Sequence, residues 1–146
     1  MNHCFGCGPQ NKDGLRIKSY WDGERESICE FMPKPYHMAG PTHVVYGGLI
    51  ASLIDCHCIC TAVADGYRRE GREPDEGELI WYVTGNINVT YSKPTPIDEP
   101  ISLRAKIEEQ GEKKTIVSCI VSTRGVETAR GVVIAIRVPP QWLNPA

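Results

Sequence analysis

Tyr46-Gly47-Gly48-Leu49-Ile50-Ala51-Ser52-Leu53-Ile54-Asp55 opens the stretch that decides the fold. No proline interrupts Gly47 to Ala64, and Leu49, Leu53, Cys56, Cys60 and Val63 recur at steps of four and three, which is one face of a helix. Ile50, Ile54 and Ile59 fall on other sides, so this helix is apolar nearly all round and is expected to be buried. Its start carries two adjacent glycines, which let another molecule approach the backbone closely. A helix N-terminus also offers unpaired amide donors and a partial positive charge. An activated carbonyl can bind there, with the Asp55 carboxylate nearby.

Upstream, Pro33, Pro35, Gly40 and Pro41 punctuate a loop that keeps the helix from beginning much before Tyr46. Before that loop, Leu15 to Trp21 alternates roughly apolar and polar, and Asp22-Gly23 leads to Ser27-Ile28-Cys29-Glu30-Phe31, a hairpin signal. Downstream, a polar segment from Asp65 to Gly77 separates the helix from a block that is wholly strand-like. Strands are expected within Leu79–Tyr91, with Gly85 as a bulge, and then at Ile101–Ile107, Thr115–Val121 and Thr128–Val138. Two strands, one long buried helix and about four more antiparallel strands make an α+β chain, and one sheet wrapped around the helix is the simplest way to bury it.

Composition narrows the function classes. The 146 residues, 41% hydrophobic, suit one compact domain with a sizeable core. A net charge of −2 gives no broad basic surface, so nucleic acid and anionic membrane are not expected partners. No run of about 18 consecutive apolar residues occurs, and Met1 to Gly6 lacks the basic and apolar regions of a signal peptide, so a cytoplasmic location is expected.

Seven cysteines is an odd count for a disulfide framework, and Cys56, Cys58 and Cys60 alternate within the apolar segment, where thiols behave as small hydrophobes. Cys4-x-x-Cys7 has a spacing that can hold zinc or do redox chemistry, but a structural zinc site needs about four ligands and no second such pair follows. His3, Cys29 and His57 are the candidates to complete a site in space. A glycine-rich turn with packed thiols is the simpler reading, and no metal is expected.

Three ordered segments carry a family resemblance. Tyr46-Gly47-Gly48, with six residues intervening before Asp55, resembles the His-Gly-Gly motif and catalytic Asp of hotdog-fold thioesterases of the phenylacetate-pathway (PaaI-like) type. Cys4-Phe5-Gly6-Cys7-Gly8-Pro9-Gln10-Asn11-Lys12-Asp13-Gly14-Leu15 resembles the Cys-Phe-x-Cys-Gly-x-x-Asn-x-x-Gly-Leu opening of many members, and Val89-Thr90-Tyr91-Ser92-Lys93-Pro94 the strand and turn after the helix. The resemblance implies a single hotdog domain over residues 1–146, one central helix wrapped by a curved antiparallel sheet of five to six strands. It implies hydrolysis of an acyl-coenzyme A thioester, with the Gly47 amide polarising the carbonyl and Gly48 supporting the turn. Asp55 then acts as general base on water or as nucleophile through an anhydride. No cofactor is implied beyond coenzyme A as part of the substrate, and the assembly is a homodimer or dimer of dimers with the site between subunits. The family's His is Tyr46 here, and Gly40 stands where some relatives carry Asn or Gln.

Helix geometry agrees with a shared site. Asp55 lies eight residues beyond Gly47, about 12 Å along the axis, too far for both to grip one carbonyl within a single chain. The stripe through Asp55, namely Gly48, Ala51, Ser52, Cys58 and Ala62, consists of small side chains that permit close approach, which makes Ser52 a substrate-contact candidate. Tyr46, Gly48, His43 in the preceding loop and Lys93 complete the candidate substrate-binding set, Lys93 and Arg104 as charges for coenzyme A phosphates. His57 points about 200° away from Asp55 and forms no dyad with it. Two other readings stand beside hydrolysis: a non-catalytic acyl-CoA or acyl-ligand binding module, and a dehydratase using His57.

Overall fold

In chain order, the computed structural model, which describes residues 2–144, has β1 (Tyr20–Trp21), β2 (Glu26–Phe31), a 3₁₀ turn (Pro35–His37), α1 (Gly47–Arg69), β3 (Trp81–Tyr91), β4 (Ile101–Gln110), β5 (Lys114–Thr123), β6 (Val126–Val138) and the short α2 (Pro140–Leu143). The strands form one antiparallel sheet in the order β1-β2-β4-β5-β6-β3, and α1 lies across its concave face. This is the hotdog architecture.

Alternation dictates the packing. Ile101, Leu103, Ala105 and Ile107 of β4, with Val117, Cys119 and Val121 of β5, face α1 and are buried, while Ile120 and Val132 between such positions face outward. Leu49, Ile50, Leu53 and Ile54 supply the helix side of this core. Each such side chain contributes roughly 1.5–3 kcal/mol by leaving water. The helix comes close to β6 because Gly131 has no side chain; a Cβ there would lie 2.7 Å from Ile54 Cγ2.

Two expectations need correcting. The helix runs five residues past Ala64, through Gly66 to Arg69. Gly66 reads as a helix breaker, but it is the residue on which Ile80 Cγ2 packs, at 3.0 Å from an ideal Cβ, and the Tyr67 hydroxyl accepts from the Ile80 amide. The first strand is confined to Tyr20–Trp21, because the Leu15 and Ile17 amides donate to the Phe5 and Gly6 carbonyls and Arg16 takes a positive φ of 53°. Although no run of 18 consecutive apolar residues occurs, α1 is long and apolar enough, by length and mean hydropathy, to cross a membrane. Here that apolarity is spent on the sheet, as expected for the central helix of such a fold.

The bulge at Gly85 is present, as a register shift between Thr84 and Asn86 against β6. Beyond it β3 is exposed over Thr84–Asn88. It pairs with β6 on one side, and no described strand pairs with its other edge.

Candidate functional site

The helix start is fixed from two sides. The Val45 amide donates to the Thr95 carbonyl and the Tyr46 amide to the His37 carbonyl, so the chain enters α1 at a defined angle. Tyr46 is the N-cap residue, yet its side chain makes no capping bond, and its carbonyl accepts from Leu49 and Ile50. The Gly47 and Gly48 amides therefore meet no acceptor among the described residues. They point out of the positive end of a 23-residue helix, where an electron-rich oxygen is stabilised.

Two phenols surround these donors. Tyr91 Oη donates to the Gly47 carbonyl at 2.6 Å, and burial, with Tyr46 close by, raises the Tyr91 hydroxyl above its ordinary pKa. The Tyr46 ring folds over Gly48, so that a Cβ at position 48 would stand 2.4 Å from its Cε1. A cleft of about 300 Å³ opens beside them, lined among others by Val44, Gly47, Ile50, Tyr91 and Lys93.

Two turns further along α1, Asp55 is partly exposed. Thr84 Oγ1 on β3 donates to its Oδ1 at 2.5 Å, while Oδ2 accepts no bond among the described residues. One oxygen is thus held and the other is free to take a proton from water or to attack a carbon. Edge strand β3 supplies the partners of both halves: Thr84 for Asp55 and Tyr91 for Gly47.

The remaining candidates separate. Gly47, Gly48, Tyr46 and Lys93 gather at the helix start, and Asp55 stands apart from them, as the rise of about 1.5 Å per residue requires. Ser52 Oγ donates to the Gly48 carbonyl at 2.9 Å, so its proton is used within the helix. His43 is exposed in its loop, engaged through its carbonyl by the Ile97 amide, and does not line the cleft. Arg104 is tied to Asp22 and Glu26 at 2.7 and 2.9 Å, which leaves it no free charge for a phosphate. Cys58 and Ala62, expected on an open stripe, are fully buried, so only the Gly48–Asp55 part of that stripe is accessible.

His57 is a core residue. It is 0% exposed; its Nδ1 is 2.7 Å from Ser19 Oγ, and Nε2 meets the Ser27 hydroxyl and carbonyl. Burial lowers its pKa to about 4, so the ring is neutral near pH 7 and has no path to a substrate. That removes the dehydratase reading. Thr84 and Tyr91 are the groups that sequence reading missed as site residues. Tyr91 sits in a segment noted for its resemblance, but a strand tyrosine gives no local signal of reaching a helix carbonyl 44 positions away.

Residues 42–130 match the Thioesterase superfamily. The chain belongs to that superfamily. It is 31% identical, over 68% of its length, to acyl-coenzyme A thioesterase THEM4 of Xenopus laevis, and the match covers 39% of that protein. The chain spans half or less of the length of the curated relatives it matches. Among solved structures, a thioesterase superfamily protein from Shewanella loihica is 37% identical with a TM-score of 0.68, covering 84% of this chain and 91% of that one. The PaaI protein of the E. coli phenylacetic acid degradation operon shares the fold at 13% identity, with a TM-score of 0.68 and coverage of 86% and 81%. Within the superfamily, this member has Tyr46 folded onto the second glycine of the helix start.

Proposed function

We propose that this chain is an acyl-CoA thioesterase, splitting an acyl-coenzyme A thioester into free acid and thiol. The observation that carries the reading is the pair of unengaged amides, Gly47 and Gly48, at the head of a buried helix that also bears a half-held carboxylate, Asp55. The thioester oxygen gains negative charge as its carbon becomes tetrahedral. A fixed amide donor such as Gly47 N–H lowers that barrier by roughly 2.7–4 kcal/mol. Asp55 takes a proton from the attacking water, or attacks the carbonyl itself to give an anhydride that water then opens; the sulfur leaves as thiolate and is protonated.

Because Gly47 and Asp55 are about 12 Å apart along one helix, the reading pairs Gly47 of one protomer with Asp55 of its partner. The long exposed edge of β3 favours such a homodimer, since an unpaired strand edge is a template for a second copy, and two dimers can associate further. Lys93 beside the cleft suits a coenzyme A phosphate. No prosthetic group enters the scheme.

The test is thiol release from a panel of aryl-, short-, medium- and long-chain acyl-CoA esters, run beside Asp55→Asn. Release that disappears in the variant supports the enzyme, and equal turnover by both proteins overturns the role of Asp55. A second reading, a non-catalytic acyl-ligand binder, draws on the phenol of Tyr46 standing where the resemblance expects an imidazole. Coenzyme A binding with no release from any ester decides for it.

A further inference from the structure

Residues 2–17 fold into a compact knuckle that closes on α1. The Gly8 amide donates to the Cys4 carbonyl at 2.9 Å, the Cys4 amide donates to Asn2 Oδ1 at 2.9 Å, and the Leu15 and Ile17 amides donate to the Phe5 and Gly6 carbonyls. This brings Cys4 and Cys7 against a helix face that carries Cys56 and, one turn on, Cys60. The Sγ atoms of Cys4, Cys7 and Cys56 all lie within 4.8 Å of one another, and Cys4 Sγ is 3.6 Å from Cys56 Sγ. The Cys60 thiol neighbours the Cys7 thiol and Ser19.

Position 6 shows how tightly the knuckle is seated. A Cβ on Gly6 would lie 2.0 Å from Cys56 Sγ and 2.9 Å from its Cβ, so the residue just before Cys7 has to be glycine for the sulfurs to converge. Asn2 Nδ2 donates to Cys7 Sγ at 3.6 Å, a donor of the kind that stabilises a thiolate. Three converging sulfurs, with the Cys60 sulfur one turn along the same helix, are a ready-made donor set.

We propose that Cys4, Cys7, Cys56 and Cys60 form a tetrathiolate site for one zinc ion that clips the N-terminal knuckle to α1. Tetrahedral zinc with Zn–S bonds of about 2.3 Å needs sulfurs about 3.8 Å apart, close to the Cys4–Cys56 separation. Four soft sulfur donors select zinc or iron over calcium and magnesium, and zinc needs no redox partner to be held. Loading exchanges thiol protons for one divalent cation, so it releases protons and tightens as pH rises. The ion's role is structural: Cys56 follows Asp55 directly but lies 100° round the helix, facing the knuckle rather than β3. The other groups considered for ligation are placed elsewhere. Cys29 is 1% exposed in the core, His57 is held by Ser19 and Ser27, and His3 is exposed.

The test uses untagged protein purified under reducing conditions. Elemental analysis is expected to find about one zinc per chain, and cobalt(II) added to the chelator-stripped protein is expected to give thiolate charge-transfer and tetrahedral d–d bands. Cys7→Ser and Cys60→Ser are each expected to weaken cobalt binding at least about 10-fold, judged by titration with zinc as competitor. Asp55→Asn is expected to keep full zinc content while losing turnover, so the fate of this site and that of the hydrolase reading are separable. Reduced, folded protein that gives no thiolate–cobalt band overturns the proposal. So does an intact mass two hydrogens short with the Cys4–Cys56 peptides linked, which assigns the cluster to a disulfide instead.

Discussion

The two long sides of α1 are built to different ends, although they are offset by a single residue. On one side, Asp55 meets Thr84 on an edge strand whose outer rim is unpaired among the described residues, and Gly47 and Gly48 present donors with no internal acceptor. On the other, Cys56 and Cys60 are covered by a folded-back knuckle, and every sulfur there has sulfur neighbours. A helix advances 100° per residue, so Asp55 and Cys56 belong to different surfaces, and one segment supports an open face and a closed one. The open face leaves polar groups unsatisfied, and the closed face covers its thiols; that contrast is why the proposed function places the substrate on the first.

The strongest way to break this contrast is to silence the open face alone. Asp55→Asn should lower kcat for acyl-CoA hydrolysis about 10³-fold, equivalent to about 4 kcal/mol, with an unchanged melting temperature. A drop in melting temperature alongside would show that Asp55 also supports the fold. Next, Leu53→Ala removes a fully buried side chain from the shared support, and should cost about 3 kcal/mol in chemical denaturation with KM unchanged below the transition.

Acid should act through the core beneath both faces. His57 is neutral in the folded state with its pKa lowered to about 4, against 6.5 when unfolded, so protons favour the unfolded chain. Its contribution is fully present above pH 6.5 and is lost as pH falls toward 4, to about 3 kcal/mol in urea midpoints converted to free energy; the loss should be absent in His57→Gln. A smaller effect sharpens the open face: Thr84→Val frees Asp55 Oδ1 and should lower kcat about 10-fold with little change in KM. The smallest is Lys93→Ala, expected to raise KM about threefold and leave kcat in place, as for an exposed charge meeting a phosphate.

Much of this was legible in the sequence because it is local. The helix start follows from Gly47-Gly48 after a proline-rich loop, and the strands follow from alternation such as Ile101-Ser102-Leu103-Arg104-Ala105. The helix end was not, since Gly66 looks like punctuation until Ile80 and Tyr82 are seen packed on it. The cysteine cluster divides the same way. Cys56 and Cys60 were visible as members of one helical face, but their meeting with Cys4 joins positions 52 residues apart and depends on a loop folding back, which no period in the sequence encodes. Thr84 escaped for the same reason: its pairing with Asp55 is set by where the bulged β3 crosses the helix.

The ring of Tyr46 resting on Gly48 also constrains how this protein can change over generations. A side chain at 48 arriving while the tyrosine remains in place would strike the ring, whereas a smaller residue at 46 arriving first opens the space. Any side chain gained at 48 therefore has to swing the exposed ring of Tyr46 off the helix head. Drift at the helix head is thus coupled: what arrives at position 48 decides whether the ring at 46 still covers it.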